Sequence, residues 1–216
     1  MSDISLLFLN ALEENNYMKC KSMCQDYSSY INALIYHGQT PLMLAAKYGS
    51  LDLILLLLNY GADVNKSNGF GLTPLMISAL YNQINIMNEL IIHGADVNST
   101  NFYGITALMM ACSSGHFHCV NLLLAQPSIN IDAQDKLNEN TALHHALLKK
   151  KTSIVNLLLY HDADISLYNK KDETPLFQIE KNNQFIMSHT KQHYDKNEVS
   201  NSIRKTMHFY TECHSI

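Results

Sequence analysis

Thr40-Pro41-Leu42-Met43-Leu44-Ala45 returns as Thr73-Pro74-Leu75-Met76-Ile77-Ser78. It returns again as Thr106-Ala107-Leu108-Met109-Met110-Ala111, Thr141-Ala142-Leu143-His144-His145-Ala146 and Thr174-Pro175-Leu176-Phe177-Gln178-Ile179. The threonines stand 33, 33, 35 and 33 residues apart. A second motif keeps the same phase: Gly61-Ala62-Asp63-Val64-Asn65, then Gly94-Ala95-Asp96-Val97-Asn98, with an echo at Asp162-Ala163-Asp164-Ile165-Ser166. Self-similarity at this period points to a stack of like units, not to a single core.

Each residue type has a physical reason for its place. Thr at the N-cap accepts a bond from an orphan backbone N–H, and Pro at the first helical position lacks the N–H that would be orphaned. Leu42 and Ala45, three apart, face one side of a short helix, and the small Ala lets a neighbouring helix approach. Leu53, Ile54, Leu57 and Leu58 repeat at helical spacing in a second helix. Gly61 ends it, because Gly takes the left-handed conformation cheaply. Asn65 to Leu72, polar and carrying Gly69 and Gly71, reads as a turn. Each unit is therefore helix, helix, extended turn, and no unit can bury its apolar face alone.

The joint match of period, cap and Gly-Ala-Asp-Val-Asn resembles the ankyrin repeat, whose pattern T-P-L-H-x-A recurs about every 33 residues. The resemblance covers roughly Leu6 to Lys191. It implies an all-α ankyrin-repeat solenoid of stacked helix–turn–helix units, each L-shaped, with hairpin fingers projecting at right angles. Residues 4–34 read as a degenerate, polar N-terminal capping repeat, because Lys19, Lys21 and Ser22 stand where leucines are expected. Full repeats follow at 35–67, 68–100, 101–135 and 136–168, a C-terminal capping repeat at 169–194 and a tail at 195–216. The unit at 101–135 carries a two-residue insertion, which predicts a shifted or bulged finger before Thr141. Asp162 replaces the helix-ending Gly, at some cost in stability, since Asp visits the left-handed region. Leu55 and Leu56 fall off the buried stripe by phase and are expected on the convex side.

Composition bounds the function. The 216 residues are 47% hydrophobic and 16% charged, as expected of a folded chain, with a net charge of -4 and no arginine cluster. That leaves no electrostatic footprint for nucleic acid. The start, Met1 to Asn16, has no basic region and reads as no signal peptide. The longest apolar run, Leu53 to Leu58, is far below the roughly 20 residues that cross a membrane, so no membrane insertion is expected. Five cysteines without a paired framework fit a reducing, cytoplasmic location, or a host cytoplasm for a secreted effector. A monomer is expected.

No residue set calls for catalysis, a cofactor or a metal. Cys112, His116, His118 and Cys119 include zinc-binding residue types, but Gly115-His116 falls at a helix–helix junction and Cys119 takes the core place of Leu53. His144 and His145 lie within the cap motif, where the resemblance implies a structural hydrogen-bonding role. His189 and His193 could share one helix face, without the intervening Glu of a zinc protease helix. Phosphate-loop, nucleophile-elbow and zinc-protease motifs are all missing. Cys213-His214-Ser215-Ile216 has prenylation spacing but a His at an aliphatic position.

The resemblance implies recognition through finger residues and first-helix ends. In the first full unit these are Tyr36, His37 and Gln39 with Lys47 and Tyr48, and in the second Phe70 and Leu72 with Leu80 and Tyr81. The third offers Phe102, Tyr103 and Ile105 with Ser113 and Ser114, and the fourth Leu137, Glu139 and Asn140 with Leu148 and Lys149. Lys170, Lys171 and Glu173 follow in the last unit. Aromatics at positions that folding does not require are informative, because such side chains anchor interfaces. The expected function is a non-catalytic protein–protein interaction module, an adaptor, scaffold or host-directed effector. The alternative is an inhibitory or regulatory subunit that blocks an enzyme.

Overall fold

The computed structural model describes residues 3–181. They form eleven α-helices: α1 (Asp3–Glu13), α2 (Tyr17–Asp26), α3 (Pro41–Tyr48), α4 (Leu51–Asn59), α5 (Pro74–Leu80), α6 (Ile84–Ile92), α7 (Ala107–Ser114), α8 (Phe117–Leu124), α9 (Ala142–Leu148), α10 (Thr152–Tyr160) and α11 (Pro175–Lys181). A 3-10 turn lies at Ser28–Tyr30. Among the described residues there is no strand, only the isolated bridges Tyr36–Gln39 and Thr100–Thr106.

The capping threonines start the odd-numbered helices from α3 onward as their chemistry requires. The Oγ1 atoms of Thr40, Thr73 and Thr106 accept from the amides of Met43, Met76 and Met109 at 3.2, 3.3 and 3.2 Å. Gly49 and Gly115 then stop α3 and α7 at φ of 81° and 86°. Helices α1, α3, α5, α7, α9 and α11 stack into an inner row, and α2, α4, α6, α8 and α10 into an outer row. Ala45, Ser78, Ala111 and Ala146 are fully buried in the inner row, where small side chains allow close approach. Ser78 keeps its buried hydroxyl satisfied by donating to the Leu75 carbonyl at 2.7 Å.

Adjacent units are joined by a ladder of asparagine rungs. Asn32 Nδ2 donates to the Gly61 carbonyl at 3.0 Å, while its Oδ1 accepts from the Asp63 amide at 2.7 Å. Asn65 does the same to Gly94 and Asp96, and Asn98 to Ser128 and Asn130. At the next rung stands Asp132, whose Oδ1 accepts from the Asp164 amide at 2.9 Å but which has no amide group to donate. Burial raises the pKa of its carboxyl, and the Asp164 charge adds to that, against the opposing effect of the Asp164 amide.

The extra residues of the third unit fall in two places. The rung from Asn98 reaches Ser128 and Asn130, one residue later than the spacing of the earlier rungs. In the following finger Asp135 takes the root position, six residues before Thr141, whereas Asn68 and Asn101 lie five before Thr73 and Thr106. Asp162 does occupy the left-handed region, at φ 59°.

Two expectations need correction. Leu56 is buried, not convex-facing, and Leu55 is half-buried. The outer helix α4 is flanked by both α2 and α6, so its covered stripe is wider than the phase of one helix suggests. The N-terminal pair is also less polar than expected, since Leu6, Leu7 and Met18 are exposed on it.

Candidate functional site

The fingers are built on one device used four times. Asn68 is buried at a finger root, and its Oδ1 accepts from the amides of Phe70 at 2.9 Å and Leu72 at 3.0 Å. Asn101 holds Tyr103 and Ile105 in the same way, and Asn169 holds Lys171 and Glu173. In the fourth unit Asp135 replaces the amide and holds Leu137 and Asn138. This carboxylate is buried, and its Oδ2 lies 3.0 Å from His145 Nε2 on α9. Neither Asp135 nor His145 was singled out as a pair by sequence; the signal available was a joint departure, Asp for Asn at the root and His for Ile77 or Met110 on the helix.

From the second finger onward, one backbone bond ties each finger to the next. The Phe102 amide donates to the Phe70 carbonyl at 3.1 Å, Lys136 to Tyr103 at 2.8 Å, and Lys170 to Asn138 at 2.8 Å. Phe70, Phe102 and Tyr103 then stand out at 60%, 65% and 49% exposure. Leu137, Glu139, Lys170, Lys171 and His37 are exposed as well, and Gln39 and Glu173 are half-buried. Tyr36, Leu72 and Ile105, expected to face solvent, are instead partly buried against the core. Asn140 is buried and its Oδ1 accepts from Asn169 Nδ2 at 3.0 Å.

The first-helix ends form a second row beside the fingers. Tyr48, Leu80, Tyr81, Leu148 and Lys149 are exposed there, and Lys47, Ser113 and Ser114 are half-buried. Lys47 Nζ sits 5.5 Å from the Tyr48 ring centre and 5.9 Å from that of Tyr81, so one cation bridges two aromatic faces. The Tyr48 hydroxyl donates to Glu13 Oε1 at 2.8 Å. Partial burial, then the Glu13 carboxylate, pushes this phenol up to about 12, so it stays a hydroxyl at neutral pH. Glu13 was not foreseen as part of this face.

His144, His116 and Cys119 each make a hydrogen bond within the stack. His144 Nδ1 accepts from the Thr141 amide at 3.1 Å, and its Nε2 lies 3.2 Å from the Glu173 carbonyl of the next unit. Both contacts are satisfied by a neutral ring carrying its proton on Nε2. Burial is the main cause of its lowered pKa. His116 Nε2 lies 3.1 Å from the Leu80 carbonyl, and the Cys119 thiol donates to Asn82 Oδ1 at 3.4 Å. Burial pushes the thiols of Cys119 and Cys24 to about 11 and Cys20 to about 12, and raises that of Cys112 too. Among the described residues no three His, Cys, Asp or Glu side chains converge as metal ligands. No helix among them is long and apolar enough to cross a membrane. His189, His193 and Cys213 lie outside the described residues.

Comparison with known proteins agrees with this architecture. The family profile described as ankyrin repeats (3 copies) matches residues 7–101 and 75–169. The chain is 30% identical over 173 residues to the ankyrin repeat protein YahD of Escherichia coli, covering 78% of this chain and 86% of that one. It is 45% identical over 139 residues to palmitoyltransferase ZDHHC17 of both Danio rerio and Homo sapiens, covering 64% of this chain but 22% of each enzyme.

Proposed function

The chain belongs to the ankyrin-repeat family, and from that premise we propose that it is a non-catalytic adaptor or scaffold that binds a partner protein across its finger tips and first-helix ends. The observation that carries this reading is the exposure of Phe70, Phe102 and Tyr103 on backbone-linked fingers, where none of the three is needed for a core. Large aromatics held on a rigid frame lose little entropy on binding and commonly anchor an interface. Buried, protonated free thiols support a reducing compartment, and we place the protein in a cytoplasm, as a monomer.

The test is affinity capture from the native or host cell, with the captured proteins identified by mass spectrometry. Replacing Phe70, Phe102 and Tyr103 together by Ala should change folding stability by less than roughly 1 kcal/mol, as at other surface positions. Loss of the captured partner should be far larger, about 2 kcal/mol or more for each true anchor. Full affinity in the triple variant overturns the assignment of the site, and so does its unfolding. A recurrent enzyme among the captured proteins, inhibited on binding, would identify the role as inhibitory.

A further inference from the structure

The charge on this face is unevenly spread along the stack. At its N-terminal end acids and cations balance: Glu13 is engaged by the Tyr48 hydroxyl, Glu14 is paired with Lys19 at 2.9 Å, and Lys47 lies over the Tyr48 and Tyr81 rings. The middle is nearly uncharged: residues 68–80 and 99–114 contain no Asp, Glu, Lys, Arg or His. At the C-terminal end Lys136, Lys149 and Lys171 are exposed, and among the described residues no carboxylate lies within ion-pair distance of them. Lys170 is tied to the carbonyls of Lys136 and Leu137 by its Nζ, which adds positive charge at the same fingers. Glu139, Asp172 and Glu173 share this end, but the lysines at 136, 149–151 and 170–171 outnumber them. The chain as a whole is acidic, at -4, so this concentration of lysine is local.

Resting on the reading above, we propose that this strip takes an extended peptide segment of the partner, apolar in one half and rich in Asp and Glu in the other. The apolar half lies over Phe70, Phe102 and Tyr103, and the acidic half lies against Lys136, Lys149 and Lys171. Helices in contact lie about 8–10 Å apart, so the three steps from the second full unit to the last span roughly 30 Å. An extended chain covers that in about nine residues. The charges supply what a uniform apolar strip lacks, namely a direction: the reverse placement would exchange the lysines of the fourth and last units for the uncharged fingers of the second and third.

The experiment pans a phage-displayed library of random peptides, about 12 residues long to cover that span, against the full chain. Enriched peptides are then measured by fluorescence anisotropy at several salt concentrations. Expected are peptides with an aromatic or aliphatic cluster beside two or more Asp or Glu. Lys149→Glu with Lys171→Glu should weaken them about tenfold or more and flatten the salt dependence, because a screened charge term has been removed. Phe70→Ala with Phe102→Ala should weaken them similarly and leave the salt slope unchanged. Enriched peptides without acids, or with basic residues in their place, overturn the proposal. So does binding indifferent to the lysine pair. If such binding is still lost with the phenylalanine pair, the proposed interaction face stands while its charge preference falls. Peptides indifferent to both pairs overturn both. If no peptide is enriched, the extended-segment inference is wrong.

Discussion

The amide of Phe102 donates to the carbonyl of Phe70 at 3.1 Å, so the second finger is fastened to the third beside the two most exposed phenylalanines of the face. That approach depends on Gly71, which sits at φ 76° and whose Cβ, if it had one, would lie 2.9 Å from the Phe102 nitrogen. Gly71→Ala should therefore lose on the order of 2 kcal/mol, from left-handed strain and the backbone clash together. Chemical denaturation measures this. Gly69→Ala, where a Cβ meets nothing within 4 Å, is the control and should cost much less.

Asp132→Asn should restore the missing half-rung. The new amide can donate across the joint as Asn65 and Asn98 do, for a gain of about 1 kcal/mol at neutral pH. The sign with pH follows from the raised pKa of Asp132. Folding is favoured while the carboxyl is protonated, below its ordinary 3.8, and loses stability as pH rises through the higher folded-state value. The advantage of the Asn variant should therefore be largest at neutral pH and shrink in acid. A gain that does not vary with pH would reject the carboxylate as its source.

His144 holds its cap and the next unit only as a neutral ring. Its pKa is lowered from 6.5, so its contribution is complete above that value and is lost as pH falls below it towards the folded-state value. His144→Ala should cost about 3 kcal/mol at pH near 7.5, combining a cavity with the orphaned Glu173 carbonyl. Its stability should also fall less steeply than that of the wild type between about pH 6.5 and 5. Urea titrations across that range decide between the two behaviours.

Removing residues 1–34 should expose the flank of α3 and α4 that α1 and α2 now cover. Terminal units keep such stacks soluble, so the shortened chain should melt earlier and self-associate. A monomer of unchanged melting temperature in light scattering would show that the first helix pair is no cap.

Much of this was legible because repeat chemistry is local. Thr40, Pro41 and Gly61 act within a few residues, and their recurrence announces the period. What a single helix could not reveal is what lies on both sides of it. Leu56 is off-phase on α4 yet buried, because outer helices flank it in both directions. Tyr36, Leu72 and Ile105 looked free by the same one-dimensional argument and are partly covered. The rungs of Asn32, Asn65 and Asn98 recur visibly, but their partners lie 29 to 32 residues away in the following unit. His145 and Asp135, ten residues apart, meet at 3.0 Å between the finger root and α9.

The incomplete rung at Asp132 does not stand alone. The joint between the third and fourth full units also contains one of the two extra residues, in the finger that begins at Asp135, and Asp162 sits in a glycine's conformation just beyond it. In a stack whose layers touch only their neighbours, such faults do not average out over the molecule. They mark a cleavage plane, as in a layered mineral. Amides of α9 and α10 should exchange with solvent through a lower-energy opening than those of α5 to α8, and the protein should part there into two slabs before either slab melts.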